Sequence, residues 1–69
     1  MTDFVYKYVE VVGTSHDSND AAIKAALERV RTTVRHVRWF EVVGQRGFVE
    51  PDGSIQYQVT LKVGFGLED

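Results

Sequence analysis

Aromatic and aliphatic residues alternate along the first part of the chain, interrupted by Lys7 and Glu10, which predicts a β-strand over Phe4–Val12. One face of this strand carries aromatic rings, at Phe4, Tyr6 and Tyr8. The opposite face carries aliphatic side chains, at Val5, Val9 and Val11. Because a strand with one solvated face would be polar on that side, we expect both faces to be covered, one of them by a second partner surface.

A polar segment from Gly13 to Asn19 follows and predicts a turn that contains several candidate helix N-caps. Apolar residues then recur at steps of three and four, the spacing of one helix face. They are Ile23, Ala26, Leu27, Val30, Val34 and Val37. Basic residues gather near the C-terminal end of this predicted helix, at Arg29, Arg31, Arg35 and His36. Cations offset the exposed carbonyl groups there, and we favour this structural role over phosphate binding.

The remaining sequence predicts a β-hairpin. Its first strand covers about Trp39–Glu50, where Gly44 and Gly47 indicate a bulge or a close backbone approach. Pro51–Gly53 predicts a tight turn, and Ser54–Gly66 alternates cleanly between apolar and polar residues as a second strand. The order strand, helix, strand, strand predicts an α+β fold in which one antiparallel sheet wraps one helix.

Length and composition narrow the possible functions. With 69 residues the chain, 1–69, has room for a single domain with a marginal core. It has no cysteine, and its two histidines, His16 and His36, lack metal-ligand spacing, so oligomerisation is the expected source of extra stability. A net charge of −2 argues against a nucleic-acid partner. No apolar run approaches the roughly 18 residues of a membrane span, so we expect no membrane partner and a cytoplasmic location.

No constellation of catalytic residues is found, and we expect the protein not to be an enzyme. Ser15 and His16 are neighbours in the predicted turn, where capping is their ordinary role. Asp17 and Asp20 could in principle help to bind calcium, but the start of a helix already explains them and no twelve-residue calcium loop is present. We therefore predict no metal site.

Trp39, the only tryptophan, stands where the helical pattern gives way to the strand pattern. A large flat ring at such a junction can serve as a stacking platform, or it can close a small core or a subunit contact, and its position alone leaves both open. Gln58 lies on the polar side of the last strand. Its amide offers an acceptor and a donor side by side, which match the edge of a heterocyclic imide; the alternative is an ordinary solvated glutamine.

Four segments, taken together, resemble the dodecins, a family of small flavin-binding proteins. They are Val11–Ser15, Trp39–Val42, Arg46–Gly47 and Tyr57–Phe65. Their order and spacing extend the resemblance over nearly the whole chain. The resemblance implies a three-stranded antiparallel sheet wrapped around a helix, with twelve copies forming a hollow shell, a homododecamer.

The resemblance also implies a binding mode. In dodecins the tryptophan stacks on the isoalloxazine of a flavin, and two flavins lie between two symmetry-related tryptophans. Carried over, Trp39 is the platform, Gln58 binds the flavin edge, and Arg46 matches a family arginine near the ligand. Arg38 adds a further charge beside the ring.

The ligand expected from this resemblance is FMN or riboflavin. Electron transfer from the indole would quench the excited flavin, so the protein would store flavins and suppress their photochemistry. The alternative is a dodecin-like shell that binds a different ligand, calcium or coenzyme A, with Trp39 in a structural role.

Three positions depart from the commoner bacterial pattern of the family. Gly66 stands where an arginine often follows Gly-Phe, Arg38 where an aspartate often precedes the tryptophan, and Phe48 where histidine or threonine is frequent. These departures concern recognition of the ligand's tail. With one cation missing, we expect FMN to bind with a smaller advantage over riboflavin than in relatives that have the arginine.

Overall fold

The computed structural model describes residues 3–67 and confirms the predicted order of elements. Strand β1 spans Tyr6–Ser15, helix α1 spans Asn19–Arg31, strand β2 spans Val37–Val49 and strand β3 spans Ile55–Gly66. The three strands form one antiparallel sheet in which β3 lies between β1 and β2. Over residues 3–67, no helix is long and apolar enough to cross a membrane.

The core lies between one face of α1 and the inner face of the sheet. Its buried side chains come from successive turns of the helix and alternate positions of β3: Ala22, Ala26, Val30, Val59, Leu61 and Val63. The three β3 residues in this set have 0% relative exposure, which confirms the alternation predicted for that strand. Val9 and Val11 of β1 pack against the same cluster, as expected for the aliphatic face of that strand.

Strand β1 continues past its predicted C-terminal end. The first three residues of the predicted turn belong to the strand, which ends at Ser15. Gly13 pairs with Val59 of β3 and lies directly under the helix. A Cβ atom at Gly13 would be 2.1 Å from the carbonyl oxygen of Ala22 and 2.9 Å from the Cβ of Ala26. Gly13 is therefore a close contact between sheet and helix and not a turn residue.

Helix α1 begins where its cap predicts and ends earlier than its periodicity predicts. The Ser18 hydroxyl accepts a hydrogen bond from the backbone N–H of Ala21 at 3.0 Å. The helix stops at Arg31, so Val34 and Val37 lie beyond it, although both still pack against the core. The helical spacing persisted past the true end because Val34 contacts the same core from the connecting segment and Val37 contacts it from the first position of β2.

Strand β2 is the least covered part of the protomer. It forms one edge of the sheet, and all but the first of its residues are exposed. Several of these are large and apolar: Phe40, Val42, Val43, Phe48 and Val49. Its pairing with β3 shifts register between Val42 and Gly44, which confirms the predicted irregularity at Gly44. An exposed apolar edge strand favours association with further copies of the chain.

Replacing Gly13 by alanine should destabilise the protein, because the added methyl group would overlap the backbone of α1. We expect the free energy of unfolding to fall by roughly 1–3 kcal/mol, the usual range for overpacked sites. Urea titrations at one fixed protomer concentration would measure the change. Gly44→Ala is the matched control, because no atom beyond the neighbouring residues lies within 4 Å of its Cβ position. Equal loss of stability in both variants would contradict this packing.

Candidate functional site: a tryptophan platform on the outer sheet face

Trp39 lies on the outer face of the sheet, turned away from α1. It is paired with Gly64 on β3, and Gly64 is paired with Tyr8 on β1. Because neighbouring Val63 points into the core, alternation along β3 turns Gly64 and its cross-strand partners outward. Trp39, Gly64 and Tyr8 therefore form one row across the three strands.

The indole ring of Trp39 lies on the backbone of Gly64. A Cβ atom at Gly64 would be 2.4 Å from indole Cε2, 2.5 Å from Cζ2 and 2.8 Å from Cδ2. These atoms lie at and beside the fusion of the two rings, so the sheet covers one face of the indole. Trp39 is nevertheless 36% exposed, so part of the indole remains open to solvent.

Two tyrosines surround the indole. The centroid of the Tyr6 ring is 4.9 Å from that of the indole at an interplanar angle of 68°, and the Tyr8 ring is 5.8 Å away at 87°. The Trp39 Nε1–H donates to the Tyr8 hydroxyl at 3.3 Å, and this hydroxyl donates in turn to the Glu41 carboxylate. The hydrogen bond to Glu41 raises the pKa of Tyr8 above its usual value, which keeps the hydroxyl protonated. The two tyrosines thus hold a partly exposed indole by edge-on ring contacts and one hydrogen bond.

Gln58 and Arg46 form a second group on the same sheet face. They are cross-strand partners, and Arg46 Nε donates to Gln58 Oε1 at 2.6 Å. Gln58 Nε2 donates to Gln56 Oε1 at 2.8 Å. One lone pair of the amide oxygen and one amide proton are thus used within the protomer, and the second of each can serve a ligand.

The structure separates this second group from Trp39. Gln58 precedes Gly64, the residue under the indole, by six positions along β3. At about 3.3 Å per residue the two points are roughly 20 Å apart. A three-ring heterocycle stacked on Trp39 is too short to reach Gln58 of the same protomer. Of the predicted site residues, one protomer therefore brings Gln58 and Arg46 together but places Trp39 apart from both.

Arg38 lies beside a cavity of about 300 Å³ at the Trp39 end of the sheet. Tyr6 and Gly66 line the same cavity, and Tyr6 also contacts the indole, so the cavity adjoins the platform. A Cβ atom at Gly66 would approach other atoms no closer than 3.8 Å, an ordinary contact. A methyl group at Gly66 therefore fits without a shift of the backbone.

Sequence patterns did not reveal the roles of Gly64, Tyr8 and Glu41. Gly64 was one polar-side position of an alternating strand, and Tyr8 one of several exposed aromatic residues. Their contact with Trp39 depends on the strand register, which shifts between Val37 and Trp39. If the strand register had been known, an outward-facing glycine paired with the only tryptophan would have indicated this contact.

The described carboxylates and histidines form no metal-binding cluster, although the Glu41 carboxylate reaches the platform through Tyr8. Within residues 3–67, no three side chains of His, Cys, Asp or Glu come close enough to share a metal ion. His16 Nε2 lies 2.6 Å from Glu50 Oε2, which joins the loop before α1 to the end of β2. Asp17 precedes the Ser18 cap and Asp20 lies in the first turn of α1, in agreement with their assignment to the start of a helix.

Comparisons with known proteins agree with this geometry. The family model Dodecin matches residues 5–68. A dodecin from Thermus thermophilus is 55% identical over 65 residues, 94% of either chain. A crystal structure of a protein from that organism matches with a TM-score of 0.90 at 54% identity, covering 97% of this chain and 98% of the other. The calcium dodecin of Mycobacterium tuberculosis is 36% identical over 63 residues, 91% of this chain and 89% of its own. The chain therefore belongs to the dodecin family.

Proposed function

We propose that this protein binds flavins, FMN or riboflavin, by stacking the isoalloxazine on the outer face of Trp39, and that it stores them. The observation that carries the proposal is an indole that is seated on Gly64 and is still 36% exposed. An electron-rich indole complements the electron-poor ring system of an oxidised flavin in an offset stack. Contact between the two rings also allows rapid electron transfer from Trp39 to the excited flavin, which quenches its photochemistry. The activity is binding, not catalysis.

The binding site on this proposal combines several protomers. The separation of roughly 20 Å between the platform and Gln58 means that a Gln58 amide touching the flavin edge belongs to another copy of the chain. Arg46 holds that amide by its oxygen, which leaves one Nε2 proton and one oxygen lone pair for the imide. The exposed apolar residues of β2 provide surface for such assembly. Membership of the dodecin family supports a homododecamer.

Coenzyme A is the second candidate ligand, and one observation favours it. Arg31, Arg35 and Arg38 line a single cavity of about 370 Å³ beyond the end of α1. Guanidinium groups are well suited to phosphate, so this cavity could receive the phosphates of a nucleotide-like cofactor. The name of the M. tuberculosis relative suggests calcium as another candidate ligand. The described part of the chain has no group of three His, Cys, Asp or Glu side chains that could hold a metal ion.

Trp39→Ala should weaken flavin binding at least tenfold while leaving the fold intact. The indole lies outside the buried core, so its loss removes the stacking surface and little else. Aromatic stacking alone contributes about 0.5–1.5 kcal/mol beyond area burial, and the lost contact area adds to this. Equilibrium dialysis with riboflavin measures binding without relying on quenching by Trp39. Wild-type affinity in a folded Trp39→Ala protein would rule out the stacking model.

Gly64→Ala should weaken riboflavin binding by displacing the platform. The new methyl group would overlap the indole, which must move off the sheet. Gly66→Ala is the matched control on the same strand face, because its methyl group has room. We expect a fall in affinity of about tenfold in the first variant and of less than twofold in the second. If the two variants bind equally well, the close contact between Gly64 and Trp39 does not support the site.

The protein should form twelve-membered particles. Light scattering during gel filtration at micromolar concentration should give a mass of about 94 kDa, twelve times the chain mass of 7.8 kDa. The physical reason is the uncovered apolar edge strand of a small protomer. A sharp monomer peak with a folded circular dichroism spectrum would contradict the proposal.

Arg38 should supply part of the preference for FMN over riboflavin. It lines the cavity beside the platform, next to Gly66, where family members often have an arginine. Each exposed charge pair contributes about 0.2–1 kcal/mol, so Arg38→Gln should lower the ratio of riboflavin to FMN dissociation constants about 1.5- to 5-fold. Arg31→Gln is the control, because Arg31 does not line this cavity.

Gly66→Arg should act in the opposite direction and raise the same ratio. High salt should reduce the ratio in all these proteins by screening the charges. A ratio that is the same in wild type, Arg38→Gln and Gly66→Arg would show that neither position contacts the phosphate.

A further inference from the structure

We propose that Tyr8 and Glu41 are positioning residues for Trp39, holding the indole in its stacking orientation before a ligand arrives. This inference rests on the proposed role of Trp39 as a flavin platform and adds what sets the orientation of the ring. The chain of hydrogen bonds runs from the Trp39 Nε1–H to the Tyr8 hydroxyl and on to the Glu41 carboxylate.

The contact with Gly64 cannot set this orientation alone. It fixes the plane of the indole, because the ring rests on the strand backbone. A half turn about the Cβ–Cγ bond of Trp39 would keep that plane and exchange the two edges of the ring. Only the edge that carries Nε1 can donate a hydrogen bond, so the bond to Tyr8 selects one of the two states.

Glu41 gives this hydrogen bond its direction. A carboxylate only accepts, so the single proton of the Tyr8 hydroxyl is donated to Glu41 and the lone pairs of the oxygen are left for the indole N–H. The bond to the ionised carboxylate is charge-assisted and therefore stronger than a bond between neutral groups. Glu41 lies on β2, two residues after Trp39. Both ends of the chain of hydrogen bonds therefore belong to the same strand.

A platform held in this way loses little freedom when the flavin binds. An exposed tryptophan would otherwise have to be ordered during binding, which costs affinity. The four residues involved come from all three strands: Tyr8 from β1, Trp39 and Glu41 from β2, and Gly64 from β3. The sheet as a whole therefore preorganises the stacking surface.

Tyr8→Phe tests the inference, with Tyr6→Phe as the matched control. Both substitutions keep a ring against the indole and remove one hydroxyl, but the indole N–H donates to Tyr8 and not to Tyr6. Because Trp39 is the only tryptophan, time-resolved fluorescence anisotropy of the flavin-free protein reports on this ring alone. We expect Tyr8→Phe to show a larger fast component of local motion than wild type or Tyr6→Phe.

Riboflavin binding provides the second readout. We expect the dissociation constant to rise about three- to tenfold in Tyr8→Phe, as for loss of one hydrogen bond, and to stay within twofold of wild type in Tyr6→Phe. Glu41→Gln keeps an acceptor oxygen and should retain most of the restraint, whereas Glu41→Ala should loosen the ring. Glu41→Ala also tests the chain with Tyr8 in place, should Tyr8→Phe fail to fold.

The inference is wrong if Tyr8→Phe and Glu41→Ala both show the anisotropy decay of wild type. It is also wrong if Tyr8→Phe and Tyr6→Phe bind riboflavin equally well in a protein that binds it. Failure of the wild-type protein to bind any flavin would instead overturn the proposed function. The anisotropy comparison does not depend on the ligand and would still decide whether Tyr8 positions the indole.

Discussion

The contact between the Trp39 indole and the backbone of Gly64 is the interaction on which the site depends. It seats the ring on the strand backbone while leaving Trp39 36% exposed, and a stacking platform needs both a support and an accessible surface. The contact requires that residue 64 has no side chain and that β2 and β3 pair in the observed register. That register includes a shift just before Trp39, so an irregularity in the edge strand sets the position of the platform.

The two faces of the sheet have different roles. The inner face packs on α1 and buries the few aliphatic side chains that this short chain can supply. The outer face carries the aromatic row at one end and the Arg46–Gln58 pair at the other. Because the two groups lie on one sheet but far apart, the proposed flavin site needs parts of two protomers. On that proposal assembly is required for binding, and the exposed edge strand β2 provides surface for it.

The fold was predictable where local pattern and burial coincide. Alternation along β3 and the group of candidate N-caps before α1 gave correct elements, because each reflects an interaction with near neighbours. The end of α1 was not predictable from spacing, since Val34 and Val37 contact the core from outside the helix. Trp39 was recognisable as a candidate from its isolation in the sequence. Its contacts with Gly64 and Tyr8 were not, because they arise from pairing between distant strands.

The most direct test of the central claim is an absorbance and fluorescence measurement on protein purified under dim light. The account predicts a yellow protein with the visible absorption of an oxidised flavin and only weak flavin fluorescence, which rises when denaturant releases the ligand from Trp39. A colourless protein that remains colourless after incubation with riboflavin or FMN and gel filtration would contradict the account.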